Sequence, residues 1–77
     1  MSQLPIISSS ECIKVLQKLG YEVRRQKGSH IIMKRDDPKP ARSIPVPNHK
    51  TLKTGTLRTI IRQAGLSVDE FNELLKK

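Results

Sequence analysis

Aromatic side chains are nearly absent from this chain: Tyr21 and Phe71 are the only two, and there is no tryptophan. That scarcity argues against an extensive platform on which splayed-out nucleobases could stack. Cysteine is represented by Cys12 alone, which excludes an intrachain disulfide and fits a reducing cytoplasm. The sequence holds neither an 18-residue apolar run nor a signal-peptide hydrophobic region, so it is expected neither to span a membrane nor to be exported by the usual route. Repeats and low-complexity tracts are missing too. Acids are scarce: seven Asp and Glu stand against fifteen Lys and Arg, a formal net charge of +8.

That positive charge is unevenly spread. Residues 24–62 hold eleven Lys or Arg with only Asp36 and Asp37 as acids, whereas residues 63–75 carry three acids and no base. Segregation of this kind is what a face for an anionic partner such as RNA needs. The 77 residues are expected to form one domain, 1–77, with residues 1–7 as a short leader. A domain this small buries roughly 60% of the surface its unfolded chain exposes. Its apolar residues are therefore committed to packing, and little room remains for a deep pocket.

Ser8-Ser9-Ser10-Glu11 is a capping box with Ser8 as N-cap. Cys12, Ile13, Leu16 and Leu19, with Val15, follow at helical spacing until Gly20 stops the helix. Cys12 then reads as a small core residue and not as a reactive thiol. Tyr21 to Arg25 alternates apolar and polar as a half-buried strand does. Gln26-Lys27-Gly28 can turn the chain, with Gly28 supplying the positive φ of a three-residue hairpin loop. In a second strand from Ser29 to Lys34, period-two alternation sets Ser29, Ile31 and Met33 on one face and His30, Ile32 and Lys34 on the other.

Asp36-Asp37-Pro38 signals a turn between Arg35 and Pro40, and Ala41 to Pro47 forms a third strand. Pro45 within it cannot donate to a ladder, which assigns that strand to a sheet edge. After a polar loop from Asn48 to Gly55, a second helix is predicted from Thr56, with Leu57, Ile60, Ile61 and Ala64 inward and Arg58 and Arg62 one turn apart outside. Gly65 ends it. Ser67-Val68-Asp69-Glu70 then opens a short final helix with Val68, Phe71, Leu74 and Leu75 inward. The expected class is α+β: a three-stranded antiparallel sheet with helices packed on one face, in the order α-β-β-β-α with a short extra C-terminal helix. The other face of the sheet is left open to a partner.

The chemistry centres on Lys27-Gly28-Ser29-His30. Histidine is the side chain whose ordinary pKa best suits it to take or give a proton near neutral pH. Glycine lets a phosphate approach the backbone closely, and the Ser29 hydroxyl with neighbouring amides can orient it. RNA carries its own nucleophile, the 2′-hydroxyl, so one general base can start in-line attack on phosphorus without a metal. The plain alternative for His30 is a strand histidine filling a polar position at a sheet edge. His49, in Pro47-Asn48-His49-Lys50, is the other imidazole; it either shares acid–base work with His30 or is a solvated loop residue.

Lys27, Lys34, Arg35, Arg42, Lys50, Lys53, Arg58 and Arg62 supply charge around these groups. Each taken alone has solubility as its default role. Two His and one Cys fit no recognised zinc spacing, and Asp36 and Asp37 read as turn residues. No metal and no cofactor are expected.

Three stretches together are more specific than any alone. Lys27-Gly28-Ser29-His30, then Pro45-Val46-Pro47-Asn48-His49, then Gly55-Thr56-Leu57-Arg58-Thr59-Ile60-Ile61-Arg62-Gln63-Ala64-Gly65-Leu66-Ser67 resemble, in order and spacing, the HicA toxin family of bacterial toxin–antitoxin modules. The resemblance runs from about Ser8 to Leu75. It implies a fold like the double-stranded-RNA-binding domain, a metal-independent mRNA endonuclease, and a cognate HicB-like antitoxin that covers the active site. It maps the catalytic histidine to His30, with Gly28 and Ser29 as its motif neighbours. The chain departs from the family at Ile31, where relatives often carry a second histidine, which leaves His49 as the only other imidazole.

The leading expectation is thus an RNA-cleaving toxin with His30 as general base, Ser29 and His49 as auxiliaries, and Lys27, Gly28, Lys34, Arg35, Arg58 and Arg62 holding RNA. Two other readings compete: a non-catalytic double-stranded-RNA-binding module, and a protein–protein adaptor whose basic face docks an acidic partner.

Overall fold

The structure, a computed structural model, describes residues 3–36 and 41–77. Helix α1 spans Ser9–Lys18, strands β1, β2 and β3 span Glu22–Lys27, His30–Arg35 and Arg42–Pro47, and helices α2 and α3 span Thr54–Gln63 and Val68–Lys76. The sheet has the order β1-β2-β3, antiparallel throughout. This is the expected α+β order, with β3 at an edge as Pro45 requires. The turn expected across residues 35–40 lies for the most part outside the described residues.

Local chemistry fixes the helix starts. The Ser8 side chain accepts from the Glu11 amide at 3.2 Å while the Glu11 carboxylate accepts from the Ser8 amide at 3.1 Å. Ser67 and Glu70 repeat the arrangement at α3, at 3.1 and 2.8 Å. Each box satisfies two amides that would otherwise face solvent unpaired. Gly20, with φ of +96°, takes the left-handed conformation that stops α1.

One core joins the layers. Cys12, Val15 and Leu16 of α1, Leu57, Ile60 and Ile61 of α2 and Phe71 of α3 pack against Met33, Ile44 and Val46 on the inner face of the sheet. Every residue of β1 is exposed, Val23 among them. The helical layer covers β2 and β3 and leaves β1 as an overhanging edge. The leader is partly anchored: Ile7 is buried, Leu4 packs on the core, and the Leu52 amide donates to the Ile7 carbonyl at 2.9 Å.

Cys12 is fully buried, and desolvation pushes its thiol up to about 12 from an ordinary 9.0. The neutral thiol is the form that the fold holds. Its contribution to stability is complete below pH 9.0 and is lost as pH climbs from there through about 12. The native protein is expected to leave a thiol-specific chromogenic reagent unreacted at pH 8, and to react stoichiometrically once unfolded in guanidinium. Fast labelling of the native state would show that α1 opens readily.

Candidate active site

The hairpin between β1 and β2 is shorter than the sequence suggests. Lys27 pairs directly with His30, so the loop is the two residues Gly28 and Ser29, not a three-residue turn. Gly28 has φ of +59°, and among the described residues no non-glycine has positive φ. Glycine at the first of two central positions is the pattern of a type II′ hairpin, whose twist matches that of the flanking strands. An added Cβ on Gly28 meets nothing within 4 Å, so the only obstacle to a side chain is the backbone conformation itself. Gly28→Ala is therefore expected to cost about 1 kcal/mol, read by urea denaturation, and to slow any reaction at His30 by displacing the turn. An unchanged denaturation midpoint would contradict this account.

The turn is fastened on two sides. The Asn48 amide donates to the Ser29 carbonyl at 2.7 Å, and the Gln26 side-chain amide donates to the Gly28 carbonyl at 3.3 Å. Asn48 is held in turn by α1, where the Ser9 hydroxyl donates to its side-chain oxygen at 3.4 Å and the Ser9 amide donates to the His49 carbonyl at 3.0 Å. Helix α1 thus reaches the Gly-Ser turn through one loop.

A bulge in β1 decides what surrounds His30. Val23 pairs with Met33 but Arg25 pairs with Ile32, leaving Arg24 as the extra residue. Arg24 is held aside by Asp36 at 2.7 Å and Glu22 at 3.7 Å. Simple alternation would put Arg25 and Lys27 on the inner face with Tyr21 and Val23. The extra residue instead sends both to the outer face, opposite Ile32 and His30, since directly paired residues share a face. Lys27, Arg25, His30 and Lys34 therefore all stand on the outer face of the sheet, opposite the buried core. Among the described residues none of the three cations has a carboxylate partner.

His30 is exposed and borders a cleft of about 290 Å³. One wall is His30 with Pro45 and Pro47 of β3; the other is Thr56, Thr59, Ile60 and Gln63 of α2. His49 lines a neighbouring cleft with Lys50, Thr51, Leu52 and Lys53, and the two clefts share Pro47 and Thr56. Between them, α2 begins two residues earlier than expected, at Thr54 after the N-cap Lys53. That N-cap makes no side-chain capping bond, and the first turn holds no acid. Its unpaired amides and positive dipole end favour an anion there.

The other basic residues separate into groups. Lys34 shares the outer face but stands four residues along β2 from His30, roughly 13 Å at the rise of a strand. Arg35 and Arg42 pair across β2 and β3 at the far end of the sheet. Arg35 lies over the Tyr21 ring at 4.9 Å and donates to the Leu19 carbonyl at 3.2 Å, while Arg42 donates to the Gln63 carbonyl at 3.3 Å. Each guanidinium thus covers the negative, carbonyl end of a helix, α1 and α2 respectively. Arg58 and Arg62 border a different groove with Leu4, Ile61, Leu66 and Val68, on the side of α2 turned away from His30.

Two sets of residues join the site without a sequence motif to announce them: Arg25, which the bulge brings to the face of His30, and Thr56, Thr59 and Gln63 of the cleft wall, a polar stripe at i, i+3 and i+7. Among the described residues, no group of three or more His, Cys, Asp or Glu is placed to hold a metal ion, and no helix is long and apolar enough to cross a membrane.

In comparison with known families, residues 9–66 fit the family model described as HicA toxin of bacterial toxin-antitoxin. A search of curated protein sequences finds no relative that matches the chain. The matched stretch contains the hairpin, both clefts and all of α2.

Proposed function

The chain belongs to the HicA toxin family and is thereby a toxin of a toxin–antitoxin system whose family implies a HicB antitoxin as partner; on that footing we propose that it is a metal-independent endoribonuclease cleaving mRNA with His30 as general base. The observation that carries the reading is an exposed imidazole at the hairpin turn, directly paired with Lys27 and opening onto the cleft under α2. His30 takes the proton from a ribose 2′-hydroxyl. The 2′-oxygen then bonds to phosphorus as the bond to the 5′-oxygen breaks, leaving a 2′,3′-cyclic phosphate and a 5′-hydroxyl end. The departing oxygen takes its proton from solvent or from a protonated His49.

Lys27 neutralises the phosphate at His30, and the amides of Gly28 and Ser29 lie beside it. Lys34, farther along the sheet, serves a neighbouring phosphate, as does Arg25. Such charge placed in advance of the reaction stabilises the negative charge that builds up on the phosphoryl oxygens. Arg35 contributes by holding β2 to α1 rather than by touching RNA, and Arg58 and Arg62 meet only RNA, or a partner, that extends around α2. The HicB-like antitoxin silences the enzyme by covering the outer face that bears His30.

Cleavage of mRNA by the purified protein in EDTA, set beside His30→Ala, tests the reading. Salt-sensitive RNA binding without scission would favour the non-catalytic RNA-binding module.

A further inference from the structure

Phosphate contacts position an RNA but carry no base information, so any choice of cleavage site has to arise from another part of the cleft. We infer that Gln63 and Thr59, with the rings of Pro45 and Pro47, form a nucleobase subsite beside His30 that takes a base with its amine at purine C6 or pyrimidine C4, adenine or cytosine. The inference rests on the endoribonuclease reading above and adds to it the substrate feature that the site recognises.

Three observations carry it. First, Gln63 and Thr59 stand one helical turn apart on α2 and line the same cleft as His30. Second, the Gln63 side chain makes no hydrogen bond among the described residues, while its backbone carbonyl is held by Arg42 at 3.3 Å. The amide is free to meet a ligand and the turn that presents it is fixed. Third, the Thr59 hydroxyl donates to the Gly55 carbonyl at 3.0 Å. Its proton is used, so toward the cleft the oxygen can only accept.

The donor and acceptor inventory then selects the base. A glutamine amide offers one donor and one acceptor side by side, which suits an exocyclic amine next to a ring nitrogen, as in its bidentate pairing with adenine. Cytosine presents the same amine and ring-nitrogen pair. The acceptor-only Thr59 oxygen takes the second proton of that amine. At the corresponding ring position, C6 of a purine or C4 of a pyrimidine, guanine and uracil present a carbonyl oxygen, which Gln63 can meet by rotating its amide but which Thr59 can only repel; guanine's own amine sits at C2, on the opposite edge of the base. With so few aromatic residues in the chain, the apolar faces of the Pro45 and Pro47 rings supply the surface against which the base lies. A cleft of about 290 Å³ is at the lower limit for small-molecule sites, which suits one heterocycle and not a base pair.

The test uses a short randomised RNA and sequences two pools: fragments cut by the wild type, and intact molecules retained by His30→Ala, which reads binding alone. Adenine and cytosine are expected to be enriched at least tenfold over guanine and uracil at one fixed position beside the cut, and at a single position in the retained pool. Gln63→Met, which keeps length and helix propensity but removes both hydrogen-bonding groups, is expected to flatten both preferences to within twofold, with total cleavage falling as the base contact is lost. A wild type that cuts or binds without base preference, or a Gln63→Met profile identical to wild type, overturns the subsite while leaving the nuclease intact. A wild type that cuts nothing overturns the nuclease reading, and the retained pool alone then decides the subsite.

Discussion

His30→Ala is expected to reduce the rate of mRNA cleavage by about 10²- to 10⁴-fold, the usual worth of a positioned general base. In barrier terms that is about 3–5 kcal/mol. The fold should hardly register the change, because His30 is exposed and surface substitutions usually stay within about 0.5 kcal/mol. The two readouts therefore separate: circular dichroism and the denaturation midpoint remain at wild-type values while fragments disappear from the gel. The wild type should keep cutting in excess EDTA, and its products should carry 2′,3′-cyclic phosphate ends. A His30→Ala protein that is folded and fully active would remove His30 as the base and move attention to His49, whose cleft adjoins across Pro47 and Thr56.

Phe71→Ala is expected to have the largest effect on stability, about 3–5 kcal/mol. A domain of this size has roughly 4–12 kcal/mol in total, so urea denaturation should show a much lowered midpoint, or no folded baseline at 37 °C. Phe71 is fully buried and is the only residue of α3 in the buried core. Leu74 and Leu75 pack half-buried against the same core, and the exposed Lys18 ammonium donates to the Leu74 carbonyl at 2.6 Å. Helix α3 also lies beyond the residues that match the family, 9–66. A cost below 1 kcal/mol would mean that α3 is an appendage, and that the core is complete without it.

The relation of sequence to structure differs residue by residue. Both capping boxes were legible because a Ser and a Glu three residues apart meet within a single turn, whatever the rest of the chain does. The hairpin was legible in kind, through Gly28, but not in length, since the loop closes where Lys27 pairs with His30. Arg24 and Arg25 were indistinguishable in the sequence. In the fold Arg24 is the residue that bulges, paired with Asp36 twelve residues away as well as with Glu22, and Arg25 is thereby sent to the face of His30.

Arg35 read as one cation among several, and its position over the Tyr21 ring at the end of α1 follows from a sheet register that local pattern does not contain. Arg58 and Arg62 read as further contacts near the site; the packing angle of α2 turned them to another groove and presented Thr56, Thr59 and Gln63 to His30 instead.

The sequence by itself determined the order of elements, the buried face of each helix, the edge position of β3 and the identity of the hairpin that holds the imidazole. These depend on interactions within a few residues: caps, periodicity, the freedom of glycine and the missing amide of proline. The tertiary structure alone decided which cations share a face with that imidazole, which arginines close helix ends, and which wall of α2 completes the cleft. Those outcomes turn on one inserted residue in a strand and on the angle at which a helix crosses a sheet, quantities set by the whole core at once.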